Sequence, residues 1–358
     1  MAHPVFSQDE ERAAGVLEYI AEAGEDVGIA CYRVDQPFNG VFTNGDERYP
    51  LASTIKVMIL GVYAQGAASG RFDPTERVPL ADLDLYYLPR TDGGAHPAFL
   101  ADVEADEDET LSLLEVVYGM IRFSSNAAAD YLHARMTDTD FEDFYALTGV
   151  INTEIPVSLL GLFLAQDNHE TGISDMTMPR EELRASAADW QDKYVNDAAW
   201  RAAERAYRPN ASRRYLTQGI QLIPTQSAFF AKYDNRGTPE DFARVMAVVQ
   251  SGEILSATAG AVMRATLSWP MQFEANRERF YTIGTKGGSL PGILTGVYFA
   301  QPKNREPLVL AVFYRNLPPD IYVTWLRSFE QQELEFYVLV NGCDALTSAE
   351  LIGQGTGN

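Results

Sequence analysis

The chain has 358 residues, of which 46% are apolar and 11% aromatic, enough to bury one large core or two joined ones. Its 28 basic and 50 acidic residues give a net charge of −22, which repels phosphate backbones and anionic lipid and argues against nucleic acid or a membrane surface as partner. Two cysteines, Cys31 and Cys343, are too few and too far apart for a disulfide framework or a zinc cluster and read as free thiols.

In chain order, residues 9–23 form an amphipathic helical pattern with no basic region leading into an apolar stretch. The longest apolar segment, "SLLGLFLA" (158–165), is far short of a membrane span. The expected location is cytoplasmic, or exported after loss of a leader. "DVGIACYRVD" and "NGVFTNGDERYP" read as two strands divided by a turn at Pro37 to Gly40.

"PLASTIKVMIL" (50–60) follows. Ile55, Met58, Ile59 and Val62 keep helical spacing, and Lys56 falls one turn after Ser53 on the same side. A serine hydroxyl becomes a nucleophile when a neighbouring base takes its proton, and a partly desolvated lysine can be that base. A serine before an apolar run is also an ordinary helix cap, so this pair alone leaves both readings open.

The middle of the chain reads as helical, over 111–123, 127–136, 180–208 and 238–252. The last of these has Thr238 as its cap, Pro239 at the first helical position and Glu240 and Asp241 in the first turn. Segments 86–109 and 165–176 are polar and turn-rich and read as added surface loops, with Tyr86, Tyr87 and His96 as solvated loop residues.

Three β-rich runs, "RFYTIGTKGG", "GILTGVYFAQP" and "EPLVLAVFYRN", then read as an antiparallel meander, followed by one helix over 319–341 and a loose end. The expected fold class is α/β: an antiparallel sheet built from both ends of the chain, with an all-α region inserted. The expected division is 1–52 with 253–345 as the α/β part, 53–252 as the all-α part and 346–358 as a flexible tail. No phosphate loop, HExxH pair or GxSxG elbow is present, so no metal or other cofactor is expected.

Two further stretches bear on Ser53 and Lys56. "RFSSNAAADYL" puts Ser124, Ser125 and Asn126 between two helices, and "IGTKGGSLPG" puts Lys286, Gly287, Gly288 and Ser289 at a strand end. Here the chain resembles the class A β-lactamase-like serine hydrolases, relatives of the penicillin-binding proteins. That family carries Ser-x-x-Lys, then Ser-Asp-Asn or a variant, then Lys-Thr-Gly or a variant, in that order. "RGTPEDFARVM" and "LPGILTGVYFA" extend the resemblance on both sides of the third motif, over most of residues 27–340.

The resemblance implies a β-lactamase-like (DD-peptidase-like) fold and an acyl-enzyme mechanism on a small-molecule amide, β-lactam or ester. In it Ser53 attacks the carbonyl, Lys56 takes or relays the proton, Ser124 passes it to the leaving group and Lys286 eases that transfer. Asn126 binds the substrate amide and fixes Lys56, the backbone N–H groups of Ser53 and Ser289 form the oxyanion hole, and Gly287 and Gly288 admit the substrate.

The chain departs from the family at Ser125, where the family has aspartate, at Gly287, where it has a hydroxyl residue, and at Gly296, the expected place of its carboxylate-binding arginine. The Glu-Pro-x-x-Asn loop that supplies the deacylating base is missing. Glu154 and Glu170 are the carboxylates available there, and Glu170 is the better placed by counting. A carboxylesterase or peptidase that ignores β-lactams, and a slowly deacylating penicillin-binding or sensor protein, are the alternative activities.

Overall fold

The computed structural model describes residues 10–103, 105–218 and 223–347, with the backbone alone over 209–218. The described chain divides into two compact units, a helical one of 55–144 and 155–235 and a sheet-bearing one of residues up to 54, 145–154 and from 236 onward.

The sheet unit is built on five antiparallel strands: β1 (Val27–Arg33), β2 (Gly40–Thr43), β3 (Phe280–Leu290), β4 (Ile293–Pro302) and β5 (Leu308–Tyr314), in the spatial order β2-β1-β5-β4-β3. The strands expected from both chain ends do pair, Val27 opposite Tyr314 and Leu294 opposite the same Tyr314. Strands β1, β4 and β5 are buried along almost their whole length because helices cover both faces, which is why they read as nearly continuous apolar runs.

One face carries Phe313, against which Phe242 of the helix Pro239–Ser251 and Tyr49 pack edge-on at 5.5 and 6.3 Å between ring centroids. The opposite face carries Tyr314 against Trp325, and Trp325 meets Tyr19 of the helix Glu10–Ala23. Helix Pro239–Ser251 begins as its sequence predicts, the Thr238 side chain accepting from Asp241 N–H. It belongs to the sheet unit, as do residues 145–154, whose backbone at Ile151 and Asn152 donates to the Asp241 carboxylate. The expected boundary at 252/253 therefore differs from the observed one: aromatic packing assigns this helix to the sheet, where helical pattern alone grouped it with the helices.

Four local expectations change. Cys31 and Cys343 form a disulfide with Cα atoms 5.6 Å apart, because the fold brings together residues 312 positions apart in sequence. The helix over 319–341 is two helices, Pro319–Ser328 and Glu330–Asn341, broken at Phe329, whose φ is +59°. The helix over 180–208 breaks at Asp197, extended between Arg180–Asn196 and Ala198–Gln218. Leu346 and Thr347 of the expected tail lie in a short 3-10 turn, and the rest of it is outside the described residues.

In the helical unit, Leu88, Leu160, Leu164, Tyr194 and Trp200 form an apolar cluster. Asp130, buried, accepts from the backbone N–H groups of Leu159 and Leu160 at 2.8 Å each and so joins the helix Asn126–His133 to the start of Leu159–Gln166. Among the described residues no helix is long and apolar enough to cross a membrane.

Candidate active site

Ser53 lies in a 3-10 turn, Ala52–Ile55, that runs directly into the α-helix Lys56–Ser69. The residue before it, Ala52, has φ of +47°, a conformation that costs a non-glycine residue of order 1 kcal/mol or more and turns the chain sharply into the helix. The helix is not amphipathic as the spacing predicts. Every residue from Lys56 to Ala64 is buried, so it runs through the core and Lys56 is wholly enclosed.

The helical unit holds that lysine with the second motif. Lys56 Nζ donates to the backbone oxygen of Ser124 at 2.6 Å and to Asn126 Oδ1 at 2.7 Å, and it stands 3.2 Å from Ser124 Oγ. Loss of water pushes the amine down to about 7, against the opposing pull of the Asp92 and Asp130 carboxylates. Ser124 reaches this position because its backbone is left-handed, φ +68°, at the end of the π-helical turn Gly119–Phe123. Ser125, where the family has aspartate, is buried. Its hydroxyl caps the next helix by accepting from Ala128 N–H at 3.1 Å.

The sheet unit carries the other part of the motif set. Ser53 is half-buried there, and β3 brings Gly288 up against its backbone: a Cβ at Gly288 would stand 2.6 Å from Ser53 N and 2.5 Å from Thr295 Oγ1. Only glycine fits that approach. Lys286, buried on the same face two residues earlier, donates to Gly287 O at 2.6 Å, while Ser289 is exposed at the strand end. Thr295 stands opposite Gly288 in the pairing and donates to Leu51 O at 3.0 Å. Gly296 points the other way, where a Cβ would meet the Glu335 carboxylate at 2.8 Å. Thr295, not Gly296, is thus the residue of β4 on the face that approaches Ser53, a shift of one position that counting along the hairpin missed.

Glu170, the carboxylate expected as a possible deacylating base, is held by other partners. It sits in the turn between two short strands, Asp167–Asn168 and Gly172–Ile173, exposed, with its carboxylate accepting from Lys193 Nζ and, at 2.9 Å, from Trp200 Nε1. These two donors, the lysine first, hold its carboxyl below the usual glutamate range. Glu154 belongs to the sheet unit and accepts from Arg236 N–H at 3.0 Å.

The loop reading of His96 is also overturned. It is 2% exposed, in the helix Ala95–Asp102, with its ring 4.8 Å from that of Tyr87. The apolar residues at the two ends of "YYLPRTDGGAHPAFL", Tyr86 to Leu88 and Phe99 with Leu100, are the signal that could have marked this segment as packed. Among the described residues no group of three or more His, Cys, Asp or Glu is placed to hold a metal ion.

The family model described as the β-lactamase enzyme family matches residues 11–323. Among solved structures, a β-lactamase from Sphaerobacter thermophilus is 18% identical, covering 91% of this chain and 97% of that one, with a TM-score of 0.53. A variant of the class A β-lactamase of the last common ancestor of Gram-negative bacteria is 14% identical over 91% and 96%, with a TM-score of 0.55. The penicillin-binding protein PBP-A is 16% identical over 91% and 95%, with a TM-score of 0.50, and a mutant of it has been solved as an acyl-enzyme complex with penicillin G. No curated protein matches the chain in sequence. The three ordered motifs, the five-stranded sheet and a match spanning nearly the whole sequence agree, and the chain belongs to the β-lactamase enzyme family.

Proposed function

We propose that the protein is a serine hydrolase that forms an acyl-enzyme on Ser53 with a small amide, β-lactam or ester. The observation that carries this reading is the enclosure of Lys56, an amine stripped of water and gripped by the oxygens of Ser124 and Asn126. A neutral amine has two protons and one lone pair. Donation to Ser124 O and Asn126 Oδ1 uses the two protons and turns the lone pair toward a hydroxyl proton. An amine pushed down to about 7 is neutral in a large share of molecules near neutral pH, as a general base must be.

In the proposed reaction Ser53 Oγ attacks the carbonyl carbon and its proton passes to Lys56. The oxyanion is held by backbone N–H groups of Ser53 and Ser289. The carbon–nitrogen or carbon–oxygen bond then breaks, with the leaving atom taking a proton from the Ser124 hydroxyl, which regains one from Lys56. Lys286 and Gly288 align the substrate along β3.

Release of the acyl group needs an activated water, and Glu170, paired with Lys193 and Trp200, is engaged elsewhere. We therefore place the protein among slowly deacylating penicillin-binding proteins as the second reading, with Lys56 as the remaining base. The Cys31–Cys343 disulfide supports an exported protein over a cytoplasmic one, since reducing compartments keep thiols open. Time-resolved intact-mass spectrometry with a penicillin, a cephalosporin and a p-nitrophenyl ester tests the proposal. A covalent adduct on Ser53 is expected, persisting with the β-lactams, and no adduct with any of the three would overturn it.

A further inference from the structure

The segment that brings His96 into the helical unit does more than cover it. His96 Nδ1 lies 2.8 Å from Ser125 Oγ, with both side chains buried. Ser125 is flanked by the two residues that hold Lys56. Its hydroxyl already accepts from Ala128 N–H, so an unprotonated Nδ1 takes the hydroxyl proton and completes its bonding. The imidazole is itself fixed. Its ring packs on Tyr87 at 4.8 Å and lies 6.2 Å from Phe99, and its backbone N–H donates to Asp92 Oδ2 at 2.9 Å. Burial pushes the imidazole's proton affinity down from its ordinary value, while Asp92 and Asp84 are the charges that act on it in the opposite sense.

We propose that His96 is a positioning residue of this active site: its ring fixes the Ser125 hydroxyl and thereby the turn in which Ser124 and Asn126 hold Lys56. The family's aspartate at this position is replaced here by a shorter side chain, and the imidazole supplies the missing reach from a neighbouring segment. The inference rests on the reading of Ser53 and Lys56 as the acylating pair.

Three proteins test it: wild type, His96→Phe, which keeps the ring packing and loses the hydrogen bond, and His96→Asn, which keeps a polar atom close to the Nδ1 position. Two quantities are read, the acylation rate by mass spectrometry against ester concentration, and amide exchange over residues 124–130. In His96→Phe the maximal acylation rate should fall about 10- to 100-fold, the scale of a small misplacement of reacting groups, with the half-saturating concentration unchanged. Exchange in the turn should quicken in parallel, and His96→Asn should restore both. Unchanged acylation in His96→Phe, or slower acylation with unchanged exchange in the turn, overturns the inference. Should His96→Phe not fold, His96→Leu removes the same bond with a smaller apolar side chain, leaves the Ser125 cap in place and carries the same expectations. If wild type is not acylated, the Ser53 reading falls and exchange alone decides: an unchanged turn in His96→Phe overturns the role of His96, a loosened one restored by asparagine upholds it.

Discussion

Lys56 in the helical unit and Glu335 in the sheet unit are both shut away from water, and desolvation moves each toward its neutral form, the amine down to about 7 and the carboxyl up to about 8. Their surroundings differ. Lys56 meets three oxygen atoms of one short turn, while Glu335 accepts from the Tyr298 hydroxyl beneath the sheet, in space left by Gly296. Burial alone therefore does not mark a reactive group. A ring of acceptors supplied by a motif separates the proposed base from a buried carboxyl that has a single tyrosine hydroxyl as its named donor.

The comparison breaks first at Ser53, the proposed nucleophile. Ser53→Ala should abolish covalent labelling completely while melting close to wild type, because Ser53 is only half-buried and its 3-10 turn is one that an alanine backbone can keep. Residual labelling at the same mass would remove Ser53 from its role.

Next comes Lys56→Ala, expected to slow acylation by roughly 10²- to 10⁴-fold, the range for loss of a general base. In wild type the rate should rise with pH up to about 7, where the amine loses its proton, and then level off. The stability contribution runs the same way. Because the folded value lies below the ordinary lysine value, the folded state is penalised below about 7, and the penalty fades as pH rises toward the unfolded value. A flat acylation profile from pH 5 to 9 would contradict the assignment.

In the sheet unit the largest effect should come from Cys31→Ser, about 2–5 kcal/mol in chemical denaturation, with acylation of the folded fraction unaltered. Glu335→Gln sharpens the contrast with Lys56. The folded carboxyl binds its proton more tightly than the unfolded one, so its contribution is fully present below about 4, and is lost as pH rises through about 8. The variant should match wild type at pH 5, gain stability over it at pH 9, and acylate at the wild-type rate at both. A change in acylation would mean that the two buried groups are not separable.

The smallest effect is expected of Glu170→Gln. An exposed ion pair contributes roughly 0–1 kcal/mol, so stability should move little and release of the acyl group should keep its rate. Rapid turnover in wild type that collapses in this variant would make Glu170 the deacylating base after all.

The sheet was legible because its strands are apolar, β-branched and bounded by turn residues, and the third motif sits where β3 ends. The inward placement of Lys56 was legible because spacing along a helix is fixed by the backbone. What stayed hidden depends on distant partners: Cys343 meets Cys31 only after the sheet closes, and the Glu170 carboxylate is claimed by Lys193 and Trp200 of later helices. The environment of His96 was masked by a Gly-Gly turn and an acidic run, whose polarity described the loop's outer side and not the ring beneath it. The break at Phe329 was illegible for another reason, since a bulky residue with positive φ contradicts its own propensity.

Strand β1 lies between β2, a few residues on, and β5, whose sequence comes near the other end of the chain. During synthesis at about 5–20 residues per second, β1 therefore waits roughly 15 s to a minute for its second neighbour. The helical unit is complete in sequence well before that and is free to form first. Until β5 arrives, β1 presents a nearly unbroken apolar edge of unpaired amides, the kind of surface that pairs with another nascent chain. The topology sets the order in which partners become available during synthesis: the helical unit's first, the sheet's last, with an interval between them in which β1 has an open edge.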